Sequence, residues 1–260
     1  MTERSADARP TWRLVPSIAA DGLTQMAIDD WMLDRVCHGH PPTLRFYTWS
    51  EPTLSLGFHQ KTFPDRWCDG LSLVRRPTGG RAVLHGGGVD GTGDLTYALA
   101  MPVANSRRRE IYCELCRWIV EGWKRLGVEL YFGGDRDYAN RASCFGTATS
   151  ADLVTPDGTK FIGSAQVYRK HAEIQAVLQH GSMQLDPDLV LFEKIFGEPC
   201  RAIEPAIALT DETIATLIDA ARDAFGIQLD PRPLDAVEFA EIEARRQRCR
   251  VARSVSPPAN

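Results

Sequence analysis

The chain has 260 residues, 43% of them apolar and 25% charged, with a formal net charge of −4. That supports one sizeable core in one domain, and the slight acidic excess argues against nucleic acid or a membrane surface as a partner. A polar start (MTERSADARP) and the lack of any run of about 18 apolar residues give neither a secretory signal nor a membrane span, so a cytoplasmic protein is expected.

The expected domain covers 12–250, with disordered tails at 1–11 and 251–260. No element is assigned before Asp21, which is placed to cap a helix running to about Val36. Two β-like runs follow, TLRFYTW (43–49) and TLSLGF (53–58), separated by Ser50, Glu51 and Pro52 and read as a hairpin. LSLVRR (71–76) is another strand, and it enters a glycine-rich passage, PTGGRAVLHGGGVDGTG (77–93), before strand chemistry returns in DLTYAL (94–99). Apolar residues at 111, 115, 118, 119, 122 and 126 recur at helical spacing over 106–127. TPDGTK (155–160) is a turn between two strands, so that Lys160 opens a strand. Helical patterns at 187–196, 210–225 and 233–250 complete an α/β pattern without repeats.

Seven cysteines, at 37, 68, 113, 116, 144, 200 and 249, are odd in number and scattered, so reduced thiols are expected and not a disulfide framework. Cys113 and Cys116 form a CxxC, but on a helix and without a second pair at zinc spacing, which assigns them to core packing. Cys144 sits in a small-residue stretch, NRASCFGTATSADL (140–153), and Lys160 follows sixteen positions later in GTKFIGSAQ (158–166). A thiol attacks carbonyl carbon as the thiolate, which needs a nearby cation or base at neutral pH; Lys160 is that candidate cation. The strand ending in Arg75 and Arg76, followed by Thr78, Gly79 and Gly80, brings backbone N–H groups and guanidinium donors toward a ligand. It lacks the spacing of a phosphate-binding loop, and a plain tight turn is the alternative.

Three passages, RRPTGGRAVLH (75–85), ASCFGTATSADL with GTKFIGSAQ, and LQHGSMQLD (178–186), occur in the order and wording of the lipoate–protein ligase and octanoyltransferase family. The chain resembles that family from about Trp12 to Phe196, with SLGFHQ (55–60) and DLTYAL fitting too. The resemblance implies a mixed, largely antiparallel sheet flanked by helices, as in the catalytic domain of biotin and lipoate ligases. It also implies octanoyl transfer from acyl-carrier protein, through a cysteine thioester, to a lysine of a lipoyl carrier such as the glycine-cleavage H protein or a 2-oxoacid dehydrogenase lipoyl domain. In that reading Cys144 is the nucleophile and Lys160 lowers its pKa. Arg76, Gly79, Gly80, Arg81, His85, Gly163, Ser164, Ala165 and His180 line the acyl pocket, and backbone N–H groups near Gly163 or Cys144 supply an oxyanion hole.

No cofactor or metal is implied. ATP and Mg would enter only if the chain were an ATP-dependent lipoate ligase, a branch whose members show different residues where this chain has Ser143, Cys144 and Phe145. An amidotransferase between lipoyl carriers and a non-catalytic acyl-carrier binding module also stand beside the octanoyltransferase reading. Cys200 ranks second as nucleophile, because a related octanoyltransferase branch places its cysteine downstream of the lysine. Residues 86–93 are longer and richer in glycine than in relatives. Arg107, Arg108 and Arg109 open a helix as a candidate docking patch for an acidic acyl-carrier protein or lipoyl domain.

Overall fold

Period-two runs become strands and three-and-four spacings become helices in the computed structural model, which describes residues 9–68, 70–87, 93–104, 107–133 and 152–251. In chain order these are β1 (Thr11–Ala20), α1 (Gly22–Cys37), β2 (Thr43–Trp49), β3 (Thr53–Leu56), β4 (Ser72–Arg75), β5 (Val83–His85), β6 (Asp94–Pro102), α2 (Arg108–Arg125), β7 (Tyr131–Phe132), β8 (Leu153–Val154), β9 (Lys160–His171), β10 (Ile174–Gln184), α3 (Leu189–Phe196), α4 (Asp211–Phe225), β11 (Gln228–Pro231) and α5 (Ala236–Arg246). The expected cap forms, Asp21 accepting from Thr24 N at 3.1 Å; Gly197 and Gly226, not singled out in the sequence, end α3 and α4 at φ 73° and 61°, where a side chain would be strained.

Eight strands share one sheet in the order β11-β1-β2-β6-β10-β9-β8-β7. β1 runs parallel to both β11 and β2, and the remaining neighbours are antiparallel, so the sheet is mixed and largely antiparallel. α2 and α4 cover one face over a core that includes Trp118, Trp123, Phe161 and Leu217. α1 and α5 cover the other over Trp31, Met32, Tyr47 and Leu178. Successive residues of β10 feed opposite cores, Val177 one and Leu178 the other, as a strand sandwiched between helix layers requires.

The expected hairpin at 43–58 is not formed. β2 belongs to the large sheet, whereas β3 pairs in parallel with β4 and antiparallel with β5 in a separate three-stranded sheet. The Ser50–Pro52 corner therefore switches sheets instead of folding the chain back. α3 packs beneath this small sheet through Phe192, Ile195 and Phe196. β1 and β11 are additions to the sequence reading; Pro16 breaks the alternation of β1, and its pairing with β2 shifts register between Val15 and Ile18. The expected tails fall largely outside the described residues, but Thr11 already pairs with Gln228 and Val251 packs on the small-sheet core.

Candidate active site

The glycine turn after β4 is held by its own arginine. Arg76 is buried, and its guanidinium donates to Ser55 O, Gly79 O and Arg81 O at 2.6 to 2.8 Å and to Ser55 Oγ at 3.2 Å. Arg75, one residue earlier on the opposite side of the strand, donates to Gly57 O and Gln60 O, each at 2.8 Å. These arginines clasp backbone carbonyls, fixing the shape of the turn, more than they present a fork to a ligand. Gly57 lies so close to the turn that a Cβ there would stand 1.9 Å from Gly80 O. Gly57→Ala is therefore expected to displace the turn and destabilise the fold by about 1–3 kcal/mol, with a matching loss of activity. Denaturant unfolding and turnover assays check this, and wild-type values in both would contradict it.

His85 is held between a donor and an acceptor. Ser55 Oγ lies 2.8 Å from its Nε2 and Asp94 Oδ2 lies 2.9 Å from its Nδ1, while Trp49 stacks on the ring at 4.0 Å. Because Ser55 also accepts from Arg76, the network assigns Nδ1–H as donor to Asp94 and Nε2 as acceptor. Asp94 further accepts from Ser182 Oγ, Thr96 Oγ1 and Gly86 N. Burial depresses the pKa of His85, with Asp94 opposing. The unfolded chain thus binds a proton at His85 before the folded chain does, so this contribution to stability is complete above the ordinary 6.5 and is lost as pH falls toward the folded value. Unfolding free energies at about pH 7.5 and 5.5 should differ less in His85→Asn than in wild type, by up to roughly 1.4 kcal/mol per pH unit. An unchanged difference would contradict the assignment.

His180 is likewise engaged at both nitrogens, with Thr78 Oγ1 at 2.6 Å from Nε2 and Asp29 Oδ2 at 2.7 Å from Nδ1. Asp29 on α1 also receives Arg45 at 2.6 Å and the Tyr47 hydroxyl at 3.0 Å. Burial would raise this carboxyl's pKa, but Arg45 and His180 outweigh it and hold the group below the ordinary range. The two histidines are pillars: one joins the small sheet to β6, the other joins β10, α1 and the glycine turn.

Between these pillars lies a cavity of about 500 Å³, within the usual range for small-ligand sites. It lies on the α1 face of the large sheet, where Met26, Tyr47 and Trp49 give way to the small sheet as cover. Of the sequence-predicted residues, Arg76, Gly79, Gly80, His85, Gly163, Ser164, Ala165 and His180 line it. Arg81 stands outside the wall and contributes its carbonyl to Arg76. Gly181 leaves room against the wall: a Cβ there would meet Ser164 Oγ at 2.4 Å and Tyr97 Cε1 at 2.7 Å.

Lys160 begins β9 as expected and is buried, its Nζ 2.8 Å from Asp152 Oδ1. Asp152, a lining residue, was not singled out in the sequence. Its signal is positional: the antiparallel pairing of β8 with β9, with Leu153 opposite Ile162 and Val154 opposite Lys160, brings an acid eight positions upstream beside the lysine. Cys144 lies outside the described residues, as do Gly88 and most of the 86–93 stretch. The described ends of that stretch meet, Gly93 N donating to Gly87 O at 2.8 Å. Cys200 carries a thiol pushed up to about 11 by burial, with Lys160 pulling partly back, so it is a thiol at neutral pH. Cys116 is pushed up to about 12 by burial and packs against Gln179, in keeping with a core role. Among the described residues no cluster of His, Cys, Asp or Glu is arranged to hold a metal.

A family model described as "Lipoyl protein ligase A/B catalytic domain" matches residues 21–227. The chain is 33% identical over 272 aligned positions to Octanoyltransferase LipM of Geobacillus kaustophilus, covering 91% of this chain and 94% of that one. It is 31% identical to Octanoyltransferase LipM of Staphylococcus aureus, with 90% and 94% covered. Among solved structures, a lipoate protein ligase from T. acidophilum with bound lipoic acid superposes with a TM-score of 0.76 at 20% identity, covering 92% and 95%. A lipoate-protein ligase A bound with ATP gives 0.73 at 19%, covering 91% and 94%. At those identities the two structures establish the fold.

Proposed function

We propose, because this chain belongs to the lipoyl protein ligase A/B catalytic-domain family, that it is an octanoyltransferase of protein lipoylation which carries its acyl group on Cys144. The donor is octanoyl-acyl-carrier protein. The Cys144 thiolate attacks the thioester carbon, the carrier's thiolate leaves, and an enzyme thioester remains. The ε-amine of a lysine on a lipoyl carrier, the glycine-cleavage H protein or a 2-oxoacid dehydrogenase lipoyl domain, then attacks that thioester; an amide forms and the Cys144 thiolate returns. Both steps start from an activated acyl group, so neither ATP nor a metal is required.

The observation that carries this reading is the buried Lys160–Asp152 pair, whose carboxylate residue lines the cavity. An ammonium near a thiol favours the charged form, and its three N–H donors let it serve a carboxylate and a second acceptor together. Asp152 offsets part of the ammonium's field, so its main service is to hold Nζ in place. When the acceptor amine attacks, its proton passes to the Asp152 carboxylate, since Lys160 is already protonated. The cavity holds the octanoyl chain, and Gly163 N–H is the candidate donor to the developing oxyanion. With both ring nitrogens engaged, His85 and His180 shape the pocket and leave acceptance of the proton to Asp152. The chemistry depends on a reduced thiol, which fits a reducing compartment such as the cytoplasm; among the described residues no helix is long and apolar enough to cross a membrane.

The test is an ATP-free reaction of the enzyme with octanoyl-acyl-carrier protein and an apo lipoyl domain. Octanoylated domain is the expected product. Product formation only from free acid and ATP, with release of AMP, would favour the ligase reading instead.

A further inference from the structure

Beside the acyl cavity lies a second recess of about 590 Å³, and the two share Arg76, Gly79 and Gln166 as a common wall. Its lining is basic: Arg108, Arg169 and Arg248 belong to it, beside Arg75, whose guanidinium is committed to Gly57 O and Gln60 O. Among the described lining residues Asp30 is the one carboxylate; it is bonded by Arg169 at 2.5 Å and Arg245 at 2.9 Å, and Asp34, behind it, lies 3.6 Å and 2.8 Å from the same two arginines. Arg108 lies over the Tyr168 ring at 4.9 Å, and Arg248 is 70% exposed. Phe58, also in the wall, is 56% exposed, an apolar contact set among cations. β9 runs the length of both spaces, with Ser164 in the cavity and Arg169 in the recess, a separation of roughly 16 Å at strand rise.

We propose that this recess receives the acyl donor's phosphodiester-linked arm and that its basic rim docks the acidic face of the carrier protein bearing it. The inference rests on the thioester reading above and specifies how the donor arrives. The shared wall lets an acyl chain enter the cavity while the thin arm lies along β9, and the excess of guanidinium groups complements an anionic phosphate and an acidic protein surface. The basic run read at 107–109 in the sequence joins this surface through Arg108.

The experiment compares wild type with the Arg108→Glu/Arg248→Glu double variant in two acylation reactions, one with octanoyl-acyl-carrier protein and one with octanoyl-pantetheine, which lacks both phosphate and carrier. The variant should raise KM for the carrier-bound donor by about tenfold or more at low salt, the gap should narrow as ionic strength rises, and acylation by octanoyl-pantetheine should be unchanged. Equal loss with both donors, or no loss with the carrier-bound one, would overturn the proposal. So would a defect confined to transfer onto the lipoyl domain, which would assign the surface to the acceptor. If wild-type enzyme takes no acyl group from either donor, the underlying activity is what has failed.

Discussion

Replacing Cys144 with alanine is expected to reduce octanoyl transfer by at least about 10³-fold, the scale on which loss of a covalent nucleophile is felt, while folding stays near wild type. Cys200→Ala should keep activity within a few-fold, because burial holds that thiol protonated, with a pKa of about 11. Steady-state assays of the two variants with octanoyl-acyl-carrier protein separate the candidates. Retained turnover in Cys144→Ala with loss in Cys200→Ala would reverse the assignment and place the nucleophile downstream of Lys160.

The second large effect is expected at the ion pair. Lys160 and Asp152 have side chains only 4% and 6% exposed, so deleting one of them takes a close counter-charge away from a buried ion. Asp152→Ala should destabilise by about 3–5 kcal/mol and lower turnover by more than about 100-fold, since the ammonium loses its fixed position. The double variant Lys160→Met/Asp152→Leu separates the two consequences. Replacing both charges by apolar groups of similar volume should recover most of the stability, but not the activity. Urea unfolding and kcat measurements on the three proteins check this. A double variant that regains turnover would show the pair to be structural only.

Much of this site could be read from the residues because its signals are local. The TPDGTK turn places Lys160 at the start of a strand whatever the rest of the chain does. Likewise, two glycines after a strand ending in arginines require a turn with close backbone approach, as found at Gly57 and Gly80. What the sequence reading lacked are partners made by tertiary pairing. His180 is held by Asp29, 151 positions away, and His85 by Asp94 across a glycine-rich stretch; no periodicity links them. Asp152 carries no signal of its own in the sequence; the β8–β9 pairing sets it beside Lys160. The hairpin expected at 43–58 failed for a related reason: alternation identifies strands but not which sheet they join. The arginines were assigned to ligand because their donors fit one, whereas the turn's own carbonyls are nearer.

The most direct test of Cys144 as the acyl carrier is intact-mass analysis of the enzyme mixed with octanoyl-acyl-carrier protein in the absence of acceptor, followed by peptide mapping. A single added octanoyl group on the Cys144 peptide, discharged when apo lipoyl domain is supplied, is the result predicted. Octanoyl domain formed with no acyl group ever found on Cys144, or an adduct mapped to another residue, would contradict the account.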